Sequence, residues 1–316
     1  MPDVSANLIA QGLVGVWGAE TRTMAKFRGQ AIASSLFAIC ALSSVTGAQT
    51  EEPNVGRVKS RTTFKLPTDD PTTASEHPLK TLVRQAEIAY RDMRREVRDY
   101  SCIMVRRERV DGRLGKHEFI YAKVRNRQIA DGKVEVPFGV YLKFLKPKSI
   151  AGREVLYVEG QNDGKMFVRR GGTRFAFVTT RLDPNSELAM RENRYPITEF
   201  GIENLLLRLI QRARTQLAAG ADCEVRYLDD VTVNGRTATG IVIKPNSSHD
   251  EMGFYEARVF VDNDWNIPVH YEAYAPPAEG SDRPRLLEQY TYTKLRLNVG
   301  YTDADFAEDN PNYQVK

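Results

Sequence analysis

Apolar and polar residues alternate one by one in many short segments of this chain, and this period of two constrains the fold more than any other feature. In QYTYTKLRL, Tyr290 and Tyr292 alternate with threonines, and Leu295 and Leu297 alternate with basic residues. Such alternation is typical of a strand with one buried face. The segment carries no catalytic motif, and we therefore expect it to line a surface or groove used for binding.

Tight-turn sequences separate the strands. Asp111-Gly112, Asn162-Asp163-Gly164 and Asn234-Gly235 each lie between segments with strand periodicity, as in antiparallel hairpins joined by short turns. The predicted strands that precede the irregular segment beginning at Arg181 are CIMVRRERV, HEFIYAKVRNR, FGVYLKFLKP, REVLYVEG, KMFVRR and TRFAFVTT. Those in the last third are CEVRYLDD, TVNGRTATGIVIKP, YEARVFVDNDWNIPVHYEAYAP and RLLEQYTYTKLRLNV.

Two segments have the helical period instead. One runs from Leu79 to about Arg98, and the other begins near Thr198, a plausible N-cap, and ends at Gly220. The order of helix, strands, helix, strands predicts an α+β chain with a large antiparallel sheet and helices on one face. Between them, Arg181 to Ile197 has neither period and is predicted to be a long irregular connection, of the kind that often serves as a lid or binding loop.

The N-terminal region reads as an export signal. A basic pair, Lys26 and Arg28, precedes an apolar stretch of signal-peptide length, and small residues suited to cleavage precede Gln49. Met24 lies just before the basic pair, and we interpret it as the true start. An uncleaved membrane anchor is the alternative, although the apolar stretch is short for a span.

These features divide the chain into three parts. Residues 1–48 are interpreted as the signal peptide with a mis-assigned start, residues 49–78 as a flexible tether rich in Thr, Pro and Glu, and residues 79–316 as a single α+β domain. No later segment is apolar enough to cross a bilayer. The prediction is a periplasmic or cell-envelope protein without an integral span after cleavage.

Two cysteines, Cys102 and Cys223, remain after removal of the signal peptide. In an oxidising compartment a lone pair often forms a disulfide. We therefore predict a Cys102–Cys223 bridge, with two separate buried thiols as the alternative.

Known catalytic and cofactor motifs are missing from the sequence. It has no phosphate-binding loop, no dinucleotide-binding glycine pattern and no nucleophile elbow. His249-Asp250-Glu251 and Asp262-Asn263-Asp264 lack the ligand spacing of a metal site. The net charge of +4 is too small to indicate nucleic acid binding. We expect no cofactor and no metal; a hydrolase with paired carboxylates stays open, since spacing in sequence does not test it.

Several predicted strands have apolar residues on both faces, which a sheet with one solvated face does not need. Burial under the helices accounts for many of these positions, and the remainder indicates an apolar ligand site. The residues proposed to line it are Leu142, Phe144, Leu156, Phe175 and Phe177.

Charged residues are dense in the irregular connection. We expect a charged clamp at the mouth of a groove, formed by Arg181, Asp183, Arg191, Glu192, Arg194 and Tyr195, with Arg191 and Arg194 meeting an anionic head group. The alternative is a solvated loop held by its own salt bridges.

The chain resembles two known groups. FVDNDWNIPVHYEAY and the later run Leu295, Leu297, Asn298, Gly300, Asp303, Asp305 and Phe306 resemble the closing part of periplasmic lipoprotein-carrier domains of the LolA, LolB and RseB type. From Tyr100 onward the chain is similar to the domain-of-unknown-function 1571 family. The segments that carry this similarity are YSCIMVRRERVDGRLGKHEFIYAKVR, VPFGVYLKFLKPKSIAGREVLYVEGQNDGKMFVRRGG and RLDPNSELAMRENRYPITEFGI.

The carrier resemblance implies a half-barrel, a strongly curved open sheet with helices on its concave side. It also implies a non-enzymatic protein that holds an acyl chain, a lipoprotein or another amphiphile in the hollow, so that a lipid or a lipidated protein is the expected partner. A protein–protein interaction or sensor module, using sheet edges or Arg181 to Tyr195, is the alternative. The sequence does not indicate an oligomeric state.

Overall fold

The structure is a computed structural model and describes residues 77–172, 177–246 and 253–315. The predicted signal peptide, Met24, and the tether up to residue 76 lie outside the described residues, and these assignments stay predictions. Phe175 and the His249-Asp250-Glu251 group also lie outside them. The helices are α1 (Pro78–Glu96), α2 (Glu187–Met190) and α3 (Ile202–Ala218).

Most of the described chain forms one sheet. The strands that precede α2 are β1 (Asp99–Val110), β2 (Arg113–Leu114), β3 (Glu118–Arg125), β4 (Gln128–Ala130), β5 (Lys133–Val136), β6 (Gly139–Lys146), β7 (Glu154–Val158), β8 (Met166–Arg169) and β9 (Thr179–Leu182). Those that follow α3 are β10 (Cys223–Val233), β11 (Arg236–Pro245), β12 (Glu256–Asp262), β13 (Pro268–Ala275) and β14 (Arg285–Leu297).

The sheet is antiparallel and open. Its order is β10-β11-β12-β13-β14-β1-β3-β6-β7-β8-β9, with β2 paired to β1 and a separate β4-β5 hairpin. The last strand, β14, joins the two halves because it lies between β13 and β1. At one end, the register of β10 with β11 shifts between Leu228 and Val231. The predicted fold class, a large open antiparallel sheet with few helices, is confirmed.

The sheet has two distinct faces, called here the inner and the outer face. The inner face carries the main apolar core and packs against the helices; α1 lies against α3 and β10, and α3 lies against β13. The outer face carries a smaller core to which C-terminal residues contribute, namely Phe306, Tyr313 and Val315. Tyr313 stacks on Tyr141 at 3.7 Å between ring centroids, so the end of the described chain lies across β6.

Capping hydrogen bonds and backbone geometry fix the first residues of the two long helices, α1 and α3. Pro78 occupies the first turn of α1, and the Nδ1 atom of His77 accepts a hydrogen bond from the Leu79 backbone N–H. The start of α3 differs from the predicted Thr198, which lies in a 3₁₀ turn (Ile197–Glu199). Gly201 precedes α3 with φ of 106°, and a Cβ there would lie 2.7 Å from the Tyr100 hydroxyl. That hydroxyl accepts the Ile202 N–H at 2.9 Å and thereby caps the helix.

The predicted disulfide is wrong, because Cys102 and Cys223 are both free and buried. Cys102 lies in β1 and Cys223 begins β10, and four strands lie between them in the sheet. Strands are spaced about 4.8 Å apart, whereas a disulfide needs Cα atoms within about 7 Å. Burial raises the pKa of the Cys102 thiol to about 12 and that of Cys223 to about 11.

We expect both thiols to be unreactive in the folded protein. Because the thiolate is the reactive form, iodoacetamide at neutral pH should modify Cys102 and Cys223 only after denaturation. Peptide mapping by mass spectrometry of native and urea-treated samples checks this. A peptide linked through Cys102 and Cys223 under non-reducing conditions would contradict the structure.

The dependence of stability on pH can be predicted from Glu272 on the outer face of β13. Its carboxylate accepts hydrogen bonds from the Tyr274 hydroxyl (2.5 Å) and the Gln289 amide (2.7 Å), and His270 Nε2 lies 3.1 Å away. Burial alone would raise the pKa of Glu272, but the hydrogen bonds from His270 and Tyr274 outweigh it and lower the pKa from 4.5 to about 2. Such a shift corresponds to about 3 kcal/mol.

Because the folded pKa is lowered, this contribution is present above pH 4.5 and is lost as the pH falls toward 2. Between about pH 5 and pH 3 the wild type should therefore lose stability faster than the Glu272→Gln variant. Urea unfolding of both proteins across this range measures the difference. Equal slopes against pH would contradict the assigned role of Glu272.

Candidate functional site

A hollow of about 420 Å³ opens on the inner face. It lies over β1, β6, β7, β8, β9 and β14, beside α3, and beneath residues 183–201, which we call the connection. The helices cover the half of the sheet that contains β10 and β13. The hollow therefore occupies the half that α1 does not reach.

The floor of the hollow is apolar. Its side chains come from alternate positions of neighbouring strands, since only every second residue of a strand faces inward. The register of β6 with β7 places Leu142 opposite Val155, and the register of β7 with β8 places Val155 opposite Val168. The floor residues are Met104, Leu142, Phe144, Val155, Met166 and Val168.

The connection forms the roof and is ordered by local hydrogen bonds. The Asp183 carboxylate accepts the Asn185 N–H (2.7 Å), and Ser186 caps the short helix α2 by accepting the Ala189 N–H. Leu188, Ala189, Ile197 and Phe200 turn apolar groups toward the hollow. The predicted irregular connection, Arg181 to Ile197, is confirmed from residue 183 onward, whereas Arg181 and Leu182 belong to β9. The connection also contains α2, which is too short for a periodicity signal.

Three arginines define the rim of the hollow: Arg153, Arg170 and Arg191. Arg153 approaches Glu192 at 3.3 Å, but that carboxylate is 63% exposed, and a contact of this kind is weak in water. Arg170 and Arg191 are exposed and form no ion pair within the described residues. Among the described residues, the positive charges of Arg170 and Arg191 at the rim are therefore not neutralised by an ion pair.

Deeper in the hollow the charges are paired. Arg106 lies 2.6 Å from Glu118 and 3.8 Å from Glu108, and Arg208 lies 3.0 Å from Glu199. Burial alone would lower the pKa of Arg106, but Glu108 and Glu118 outweigh it and raise the pKa above its usual value. The guanidinium thus stays charged, and its charge is used within the protein.

A buried carboxylate, Glu288 of β14, holds the connection to the sheet. Its side chain is 1% exposed and accepts hydrogen bonds from Arg194 Nε (3.1 Å) and from the hydroxyls of Tyr195 (3.0 Å) and Tyr271 (3.3 Å). The Tyr290 hydroxyl lies 3.2 Å from Glu288 and donates over a shorter distance, 2.7 Å, to Glu108. Burial and the Glu288 charge both raise the pKa of Tyr195. The hydroxyls therefore stay protonated and act as donors.

The structure separates the residues proposed from the sequence. Leu142 and Phe144 lie on the floor, Arg191 on the rim and Tyr195 at the inner end, and all four line the hollow. Tyr290 and Tyr292, from the strand expected to line a groove, do so as well. Floor residues Met104, Val155, Met166 and Val168, and rim residues Arg153 and Arg170, were not among the proposed set.

Three residues proposed to bind the ligand lie elsewhere, and Phe175 is outside the described residues. Arg181 of the proposed clamp also lies elsewhere, since its guanidinium is 4.9 Å from the ring centroid of Phe167 in the outer-face core. Leu156 packs in the outer-face core, because it pairs with Tyr141 rather than with Leu142. Phe177 is 80% exposed, next to the start of β9. Arg194 does not line the hollow, since its guanidinium bonds Glu288 and the Arg109 carbonyl.

Among the described residues, neither a metal site nor the hydrogen-bonded chain of Thr291, His270 and Glu272 contributes to the hollow. In the described part of the chain no group of three potential ligands is placed to hold a metal ion. Thr291, His270 and Glu272 form a hydrogen-bonded chain, with 2.7 Å between Thr291 Oγ1 and His270 Nδ1. This chain lies on the outer face, opposite to Tyr271 and Tyr290, and so it does not contribute to the hollow.

None of the described helices has both the length and the apolar character that are needed to span a membrane.

The comparisons with known proteins place the chain in a family. The family model for proteins of unknown function called DUF1571 matches residues 97–315. The chain therefore belongs to the DUF1571 family, which confirms that part of the sequence-based prediction. No curated protein matches the chain in sequence.

Solved structures show remote similarity. A DUF1329 family protein from Desulfovibrio piger shares 13% identity (73% of this chain, 98% of that chain, TM-score 0.37). A putative outer membrane lipoprotein-sorting protein domain from Vibrio parahaemolyticus shares 13% (75% and 100%, TM-score 0.34). A chain of the Pseudomonas aeruginosa MucA/MucB complex shares 17% (72% and 60%, TM-score 0.38). Similarity at this level indicates no ligand or partner for this chain.

Proposed function

We propose that this protein is a non-enzymatic protein of the cell envelope that binds an anionic amphiphile in the hollow. The acyl tail would lie on the apolar floor and the anionic head group at the rim. The observation that carries this proposal is the combination, in one hollow, of an apolar floor with Arg170 and Arg191 at the mouth, two arginines that form no ion pair with any described residue. The basic pair and apolar stretch near the N-terminus support export.

The dimensions of the hollow suit such a ligand. A volume of about 420 Å³ lies within the range of small-molecule sites, roughly 300–1,000 Å³. Each methylene that leaves water contributes about 0.8 kcal/mol, so a tail of several methylenes supplies most of the binding free energy. The arginines add charge-assisted hydrogen bonds, which favour a phosphate or carboxylate over a neutral head group.

Native mass spectrometry tests the proposal. Delipidated protein is mixed with a lipid extract from the native host or with a defined anionic amphiphile, and bound mass is recorded. The hollow-filling variant Val168→Trp is expected to lose this adduct. Ile129→Trp adds a bulkier side chain at an exposed position of the β4-β5 hairpin, outside the hollow, and should bind like the wild type.

Two results would count against the proposal. Absence of any amphiphile adduct in the wild type is one. Equal adducts in the wild type and in Val168→Trp, with both proteins folded by circular dichroism, is the other, because binding would then not use the floor.

A protein partner is the second candidate, and two exposed apolar side chains favour it. Phe177 is 80% exposed and Leu188, at the mouth, is 50% exposed. Phenylalanine in particular is enriched in the cores of protein interfaces. A stoichiometric partner that an added amphiphile does not displace, and that is lost in Phe177→Ser, would favour this candidate.

A further inference from the structure

A second cavity lies beyond the inner end of the hollow. It measures about 80 Å³ and sits under α1 and α3, over β11 and β12. Its lining is almost wholly apolar and includes Leu79, Ala86, Leu209, Ile241 and Val259. Arg212 also lines it, one helical turn after Arg208, which lines the hollow.

Three side chains stand between the hollow and the second cavity: Tyr195, Arg212 and Glu288, called here the partition. Tyr195 lines the hollow and Arg212 lines the cavity. An Arg212 N–H donates to the Tyr195 hydroxyl at 3.0 Å, and that hydroxyl donates to Glu288 at 3.0 Å. Arg212 itself approaches Glu288 at 3.7 Å. The partition is therefore continuous from the connection through α3 to β14.

The partition is held on both sides. The Arg208 guanidinium lies 3.6 Å from the centroid of the Tyr195 ring, and Tyr271 adds a hydroxyl donor to Glu288. Moving Tyr195 aside would leave the buried Glu288, and Arg212 beside it, with fewer partners, which is costly for a buried carboxylate. An apolar tail gains nothing by replacing these contacts. The partition is thus a firm end to the hollow.

We propose that the partition sets the length of the acyl tail that the protein accepts, and that Tyr195 is the residue against which the tail ends. This inference rests on the proposed function and names the ligand class more closely, as a single-chain anionic amphiphile of limited tail length. The apolar cavity behind the partition takes no part in binding in the wild type.

Saturated fatty acids of increasing length test the inference. In the wild type the affinity should rise about fourfold for each added methylene, the equivalent of about 0.8 kcal/mol. The rise should stop at the length at which the tail meets Tyr195, and longer tails should bind no better. Isothermal titration calorimetry on the delipidated protein gives the affinity at each length.

Variants on both sides of the partition locate this limit. Tyr195→Ala removes the ring and should move the limit to longer tails, whereas Tyr195→Phe keeps the ring and should keep the wild-type limit. Ala86→Leu fills the second cavity from α1. It should leave wild-type binding unchanged at every length, and in the Tyr195→Ala background it should restore the wild-type limit.

The outcomes are distinct. A rise that continues through all lengths in the wild type, or a limit that is the same in Tyr195→Ala, overturns the inference. Weaker binding of long tails in Ala86→Leu alone also overturns it, because the tail would then reach the second cavity; this arm holds even if Tyr195→Ala does not fold. Absence of binding at every length overturns the proposed function, and this inference with it.

Discussion

Replacing Glu288 by alanine is expected to lower the free energy of unfolding by about 3–5 kcal/mol. Removing this carboxylate leaves Arg194 and Arg212 without their counter-ion and the hydroxyls of Tyr195 and Tyr271 without their acceptor, whereas Tyr290 keeps its hydrogen bond to Glu108. The loss is large because Glu288 is 1% exposed and its partners Arg194 and Arg212, 25% and 32% exposed, stay partly buried without their acceptor. Equilibrium unfolding in urea, followed by circular dichroism, measures it.

An exposed glutamate provides the matched control. Glu224 pairs with Arg226 on β10, and its side chain is 53% exposed, so Glu224→Ala should cost less than about 1 kcal/mol. Glu288→Gln keeps an acceptor for the tyrosines and should fall between the two. A Glu288→Ala protein as stable as Glu224→Ala would contradict the role assigned to the buried carboxylate.

The second large effect concerns ligand affinity. The double variant Arg170→Gln/Arg191→Gln removes two charges from the rim, and we expect its affinity for an anionic amphiphile to fall about tenfold or more, since a charge-assisted hydrogen bond contributes about 1.5–3 kcal/mol. Its affinity for a neutral amphiphile with the same tail should not change. Calorimetric titration of both ligands gives the comparison.

Salt and a distant arginine supply the controls for this prediction. Added salt should weaken anionic binding by the wild type and have less effect on the double variant. Arg226→Gln, at the far edge of the sheet, should bind like the wild type. An equal loss for neutral and anionic ligands would mean that the double variant disturbs the hollow rather than the head-group contact.

Periodicity in sequence predicts elements well here, and the reason is visible in β14. Tyr290 and Tyr292 alternate with threonines, and the structure places both tyrosines on the inner face at the hollow. The alternation reports which side chains share a face, since the side-chain period of a strand is two. It does not report which alternate set of side chains in the neighbouring strand lies on the same face of the sheet.

The register between neighbouring strands decides which residues of β7 face the hollow, and the sequence does not show this register. Leu142 lies opposite Val155, and so Leu156, one residue later, faces the outer core. A shift by one residue moves a whole strand's side chains to the other face. The sequence of β7, with five consecutive buried residues, has no alternation that could fix the choice.

Long-range polar contacts are similarly hidden in the sequence. Glu288 precedes Tyr290 and Tyr292 at the same spacing of two, which could have indicated a carboxylate on the inner face. Its partners Arg194 and Tyr195 come from the connection, more than 90 residues away. For the same reason the sequence suggests that Arg194 contacts an anionic head group, whereas in the structure its guanidinium donates hydrogen bonds to Glu288 and to the Arg109 carbonyl.

The open sheet has a further consequence at its ends. A terminal strand offers backbone donors and acceptors to a neighbouring molecule, which is a route to aggregation. On β10 the exposed ion pair of Glu224 and Arg226 (3.1 Å) and the register shift between Leu228 and Val231 both oppose the addition of another strand. The sheet can therefore stay open without nucleating filaments at the β10 edge.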